Sequence, residues 1–75
     1  MMENNIFMNN LKEIVKTSYA GGDFPKFDWN TSIDMWYRKN ENLFEGVAYE
    51  EKEKMRKSFR TFVDGKKFDK DGNEA

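Results

Sequence analysis

Ile6, Phe7, Leu11, Ile14, Val15 and Tyr19 recur at spacings of three and four, while Asn9, Asn10, Lys12, Glu13 and Lys16 fall mainly on the opposite side. That is the stripe of an amphipathic helix. Asn4 or Asn5 can cap its start, and the Ala-Gly-Gly run at 20–22 ends it, because glycine accepts the left-handed conformation that helix ends often need. A second stripe passes through Ile33, Trp36, Tyr37, Leu43 and Phe44, with Asn40 as its one polar member. Thr31 followed by Asp34 resembles its start signal, although a capping box usually carries Glu or Gln there. The same stretch can be drawn as a hairpin over about residues 32–49, with Ile33, Met35 and Tyr37 on one strand face and a turn at 39–42. Trp36 and Glu45 spoil that alternation, so the helix fits better.

A third helix is predicted over 47–64, set off by Gly46 and stopped by Gly65. Glu50, Glu51 and Glu53 occupy its first turns and Arg56, Lys57 and Arg60 its later ones, which suits the helix dipole. Glu50 with Lys54 and Glu53 with Lys57 are i,i+4 pairs in the favourable order, worth about 0.2–0.5 kcal/mol each. Ala48, Met55, Phe59, Phe62 and Val63 form its apolar side. The pattern therefore predicts an all-α, three-helix domain over residues 1–68, followed by a flexible tail at 69–75 in which no large hydrophobe remains.

Between the first two helices lies a loop that carries Phe24, Phe27 and Trp29, with Phe24 pushed toward extended geometry by Pro25. With Trp36 and Tyr37, the segment 21–37 gathers both tryptophans and the only proline of the chain. Rings concentrated in this way build either a core or a binding site. Residues 25–29 are expected to be the displayed portion. Trp36 and Tyr37, on the stripe with Ile33, are expected in the core.

Composition narrows the chemistry. At 75 residues the chain makes one domain with a modest core. It contains no cysteine and no histidine, so it has no disulfide, no thiolate nucleophile or ligand, and no imidazole base. No pair of carboxylates is placed by spacing for acid–base work, and a non-enzymatic protein without cofactor or metal is expected. Asp69, Asp71 and Asn73 imitate the opening of a calcium loop, but Glu74 stands at the sixth position where glycine is required. Thirteen basic residues nearly balance fourteen acidic ones. This gives no general case for nucleic acid or anionic lipid. The first residues lack the basic start and apolar run of a signal peptide, no stretch is apolar enough to span a bilayer, and a cytoplasmic protein is expected.

Two sets of residues could form a surface. Phe24, Phe27, Trp29, Trp36, Tyr37 and Arg38 have the composition of a protein-binding hot spot. Lys52, Arg56 and Arg60 repeat at i, i+4 and i+8 beside Lys66 and Lys67, as a phosphate-tracking stripe would, although Glu51 and Glu53 share that helix. The first set predicts a module that binds a larger protein, the second a small nucleic-acid-binding domain, and a structural or self-associating subunit is a third reading. In style, a short chain rich in Asn, Lys and aromatics and lacking Cys and His resembles the small early proteins with which bacteriophages inhibit host enzymes. No family motif accompanies that likeness. What the likeness implies is a viral protein that inhibits or redirects a host protein.

Overall fold

The first apolar stripe folds as two helices, α1 (Ile6–Asn9) and α2 (Leu11–Tyr19), in the computed structural model, which describes residues 6–75. The break is at Asn10, whose φ of −116° and ψ of 26° leave the helical region. Its Nδ2 donates to the Ile6 carbonyl at 2.9 Å, and its backbone N–H donates to the Phe7 carbonyl. Local bonds of this kind are why asparagine competes with helix continuation. The cap expected at Asn4 or Asn5 lies outside the described residues. α2 stops at Ala20, which is itself left-handed at φ 49°, one position ahead of the glycines.

The second stripe begins earlier than Thr31. Asp28 is extended, and its Oδ1 accepts the Thr31 N–H at 2.8 Å, so α3 runs Trp29–Lys39 with Trp29 in its first turn. Capping by the aspartate satisfies one of the donors that a helix start leaves free. The Thr31 backbone N–H, and secondarily its side chain, hold the Asp28 carboxyl below its ordinary value. A depressed folded value means that the cap contributes fully above the unfolded value near 3.8 and is lost as pH falls through the lower, folded one. Asp28→Asn keeps a capping oxygen without titrating, so its melting temperature should fall less than that of the wild type between neutral pH and about pH 3. Parallel melting curves followed by circular dichroism would show the difference, and identical acid sensitivity would count against the cap.

After α3, Asn40 donates from its backbone to the Trp36 and Tyr37 carbonyls and from Nδ2 to the Trp36 carbonyl. A 3-10 helix (Glu41–Phe44) follows, then a turn with Gly46 at φ 84°, then α4 (Tyr49–Val63). Helix and 3-10 turn thus take the place of the hairpin drawn over 32–49. The chain is all-helical, with four α-helices and no strand among the described residues. α2 packs on α3, and α1 and α3 both pack on α4.

Phe7, Ile14, Ile33, Trp36, Phe44, Met55, Phe59 and Val63 form one buried cluster. Phe7 is its hub, with ring centroids 5.6 Å from Trp36, 5.2 Å from Phe44 and 6.3 Å from Phe59. Three stripe positions are exposed instead, namely Leu43, Ala48 and Phe62. Leu43 leaves because the tighter 3-10 winding shifts the face it was counted on. Phe62 sits at the margin of the line Met55, Phe59, Val63, and the Lys66 ammonium covers its ring at 4.7 Å. Ser32 is fully buried, and its Oγ has no hydrogen-bond partner among the described residues. Removing a buried hydroxyl without a partner relieves a desolvation cost, so Ser32→Ala should raise stability by up to about 1 kcal/mol in urea titration. A loss of more than about 1 kcal/mol would mean that the hydroxyl is bonded after all.

Candidate binding groove

Residues 66–75, of which 69–75 are the segment expected to be a flexible tail, turn back over α2. The Tyr19 hydroxyl donates to the Phe68 carbonyl, Phe68 and Glu74 form an antiparallel bridge, and the Ala75 N–H donates to the Lys67 carbonyl at 2.8 Å. Asp69 Oδ1 accepts the N–H groups of Asp71 at 3.0 Å and Asn73 at 2.9 Å, so the residue that opened the calcium-like pattern closes a turn. Gly72, at φ 88°, lies against Lys12 so closely that a Cβ would stand 2.9 Å from the Lys12 Cα. Lys70 reaches Asp23 at 2.9 Å, and this exposed pair raises the lysine's pKa.

On the other side of α2, the Lys26 and Phe27 N–H groups both donate to the Ser18 carbonyl, at 2.6 and 3.3 Å. That shared carbonyl pins the aromatic loop to the helix. Trp29, placed by the Asp28 cap, meets Phe59 edge-on at 5.8 Å and Phe68 edge-on at 5.8 Å. Loop and C-terminal segment are thereby held apart as two walls. Between them lies a groove of about 460 Å³, with Val15, Ser18 and Tyr19 of α2, then Pro25, Phe27, Asp28 and Trp29, then Lys66, Lys67 and Phe68 along its lining.

Of the six aromatic-set residues, the groove collects two, Phe27 and Trp29. Phe24 is 77 % exposed in the loop, outside the groove lining. Trp36 is in the core at 3 % exposure, as its place on the stripe implied. Tyr37 is half-buried, stacked edge-on against Phe44 at 4.7 Å, and Arg38 is exposed in the last turn of α3. The loop reading needs refinement at Trp29, which is half-buried and braces the core.

The basic set also divides. Lys52 donates to the Tyr37 hydroxyl at 2.8 Å, Arg56 pairs with Asp34 at 2.8 Å and Glu53 at 3.6 Å, and Arg60 donates to Asn30 at 2.8 Å. These three knit α4 to α3. Lys52 and Arg56 also line a smaller cavity of about 160 Å³ with Phe7, Tyr37, Tyr49 and Glu53. Lys66 and Lys67 stand apart from them, on the groove. The expected sites thus converge in part: two aromatics from one set and two lysines from the other share a surface.

Val15, Tyr19 and Phe68 line the groove without having been singled out for it, whereas Pro25 comes from the 25–29 stretch expected to be displayed. Val15 and Tyr19 are an i,i+4 pair at the end of α2, next to the loop whose Lys26 and Phe27 N–H groups donate to the Ser18 carbonyl. Their spacing was the available signal. Among the described residues there is no group of three or more acidic, His or Cys side chains placed to hold a metal, and no helix is long and apolar enough to cross a membrane. No family model, curated protein or solved structure matches this chain.

Proposed function

We propose that the protein is a non-enzymatic, cytoplasmic module that binds a larger protein through the groove between α2, the aromatic loop and residues 66–68. The observation that carries this reading is the joining of apolar walls, Phe27, Trp29 and Phe68, to two lysines on one concave surface. Buried aromatic anchors surrounded by polar side chains are how protein interfaces concentrate their affinity. Phe24, exposed in the same loop, adds a further apolar contact. The likeness in style to phage early proteins adds that the partner is a bacterial host protein whose action is inhibited or redirected.

The nucleic-acid reading has less support, because Lys52, Arg56 and Arg60 already hold Tyr37, Asp34, Glu53 and Asn30. Phosphates would have to compete with those contacts. The test is capture from bacterial lysate with the immobilised chain, comparing wild type with Phe27→Ser and Lys67→Glu. One protein retained in stoichiometric amount by the wild type and lost from both folded variants is the expected result. Retention of nothing, or of the same proteins by all three, would refute the reading.

A further inference from the structure

We infer that the groove accepts an acidic segment of the partner protein, with large apolar side chains seated on Phe27, Trp29 and Phe68 and neighbouring carboxylates on Lys66 and Lys67. The inference rests on the protein-binding reading and gives the partner its chemistry. Charge complementarity is the first argument. Neither Lys66 nor Lys67 has a carboxylate within ion-pair distance among the described residues, and the two stand side by side on the groove. Among the described residues Asp28 is the one acid on the groove, and its carboxylate accepts the Thr31 N–H at the start of α3. The positive end of the helix dipole offsets that charge, so the groove presents two cations with little to neutralise them.

The groove is also preorganised. Lys66 holds its ammonium over the Phe62 ring at 4.7 Å, which steadies the side chain while leaving N–H donors for an incoming carboxylate. The Tyr19 hydroxyl is already committed to the Phe68 carbonyl. What remains on the floor is apolar, and a polar side chain pushed there would lose water without gaining a partner. A volume of about 460 Å³ lies within the range of about 300–1,000 Å³ typical of ligand pockets. An acidic segment with apolar anchors satisfies both floor and rim. A basic one meets like charge, which specific interfaces use to reject wrong partners.

The test uses the full chain, labelled with ¹⁵N and titrated with three synthetic peptides of equal length. One alternates Glu with Phe and Leu, the second has Lys for Glu, and the third has Ser for Phe and Leu. Saturable shifts at Phe27, Trp29, Lys66, Lys67 and Phe68 are expected with the first peptide alone. Combining Lys66→Glu with Lys67→Glu should weaken it about tenfold and create binding of the second peptide. Both side chains reach the surface, so the spectrum of the helices should not change. Equal binding of the Glu and Lys peptides in the groove would overturn the acidic chemistry and leave the protein-binding reading standing. Equal binding of the Ser peptide would overturn the apolar anchor. Silence of the groove toward all three would overturn both readings. Association of the free chain in sedimentation, abolished by Leu43→Ser, would assign the groove to a second copy and overturn the inference, since Leu43 is exposed between Glu41 and Glu45.

Discussion

Phe7→Ala should leave little folded protein at room temperature. Phe7 is fully buried, and its ring touches those of Trp36, Phe44 and Phe59, so one side chain joins α1, α3, the 3-10 helix and α4. Removing a buried phenylalanine costs about 3–5 kcal/mol through lost transfer energy and the cavity left behind. A domain of this size has a total stability of about 4–11 kcal/mol, and short chains with small cores lie toward the low end. Loss and total are therefore comparable. Circular dichroism should show either an unfolded spectrum or a melting temperature lowered by about 12 °C or more. Phe7→Leu, which keeps most of the volume, should retain the cooperative transition. A fall of less than about 5 °C for Phe7→Ala would mean that the core does not depend on this ring.

Gly72→Val should release residues 66–75 while the helices persist. Two penalties coincide at Gly72: a φ of 88°, which a β-branched residue scarcely adopts, and a Cβ placed 2.9 Å from both Cα and Cβ of Lys12. The near neighbour is helix backbone, which cannot swing aside as the end of a side chain would. Gly65 separates the two effects, because it has φ 79° with nothing within 4 Å of an added Cβ. Gly65→Ala carries the conformational penalty alone. Gly72→Ala carries that penalty and the collision. Tryptic cleavage at Lys66, Lys67 and Lys70 should be faster by about tenfold or more in Gly72→Val, because each 1.4 kcal/mol taken from docking raises the open population tenfold. The helical signal should be unchanged. Cleavage at the wild-type rate would show that the segment does not depend on this contact.

Much of this fold could be read from the chain because its apolar residues obey helical spacing. Ile14, Val15, Ile33, Trp36, Met55, Phe59 and Val63 are all where their stripes put them. The division at Asn10 was harder to see, since an asparagine on the polar side of a stripe gives no sign that its amide will turn back to Ile6. The start of α3 was misplaced for a related reason. Thr31 and Asp28 are both capping residues three positions apart, and only the backbone geometry chooses between them. That choice moved Trp29 from the loop into a helix and so onto Phe59.

The groove was legible in parts rather than as a whole. Phe27, Trp29, Lys66 and Lys67 were each singled out, but under two different readings, because spacing along the chain relates neighbours on one element and says little about residues 40 apart. The docking of 66–75 has no periodic signature. It depends on a tyrosine hydroxyl finding a carbonyl 49 positions away and on a glycine narrow enough to approach a helix. A polar, glycine-containing sequence looks the same whether or not it makes those contacts.

The bond from the Tyr19 hydroxyl to the Phe68 carbonyl also bears on how the domain matures during translation. α2 and α3 lie early in the chain and can pair as soon as both have left the ribosome. The wall carrying Lys66, Lys67 and Phe68 cannot be laid down until α4 and the ten residues from 66 to 75 have followed. A nascent chain would therefore be helical well before its groove exists. Stalling synthesis between α4 and residue 66 should yield a chain that is helical but lacks the wall formed by Lys66, Lys67 and Phe68.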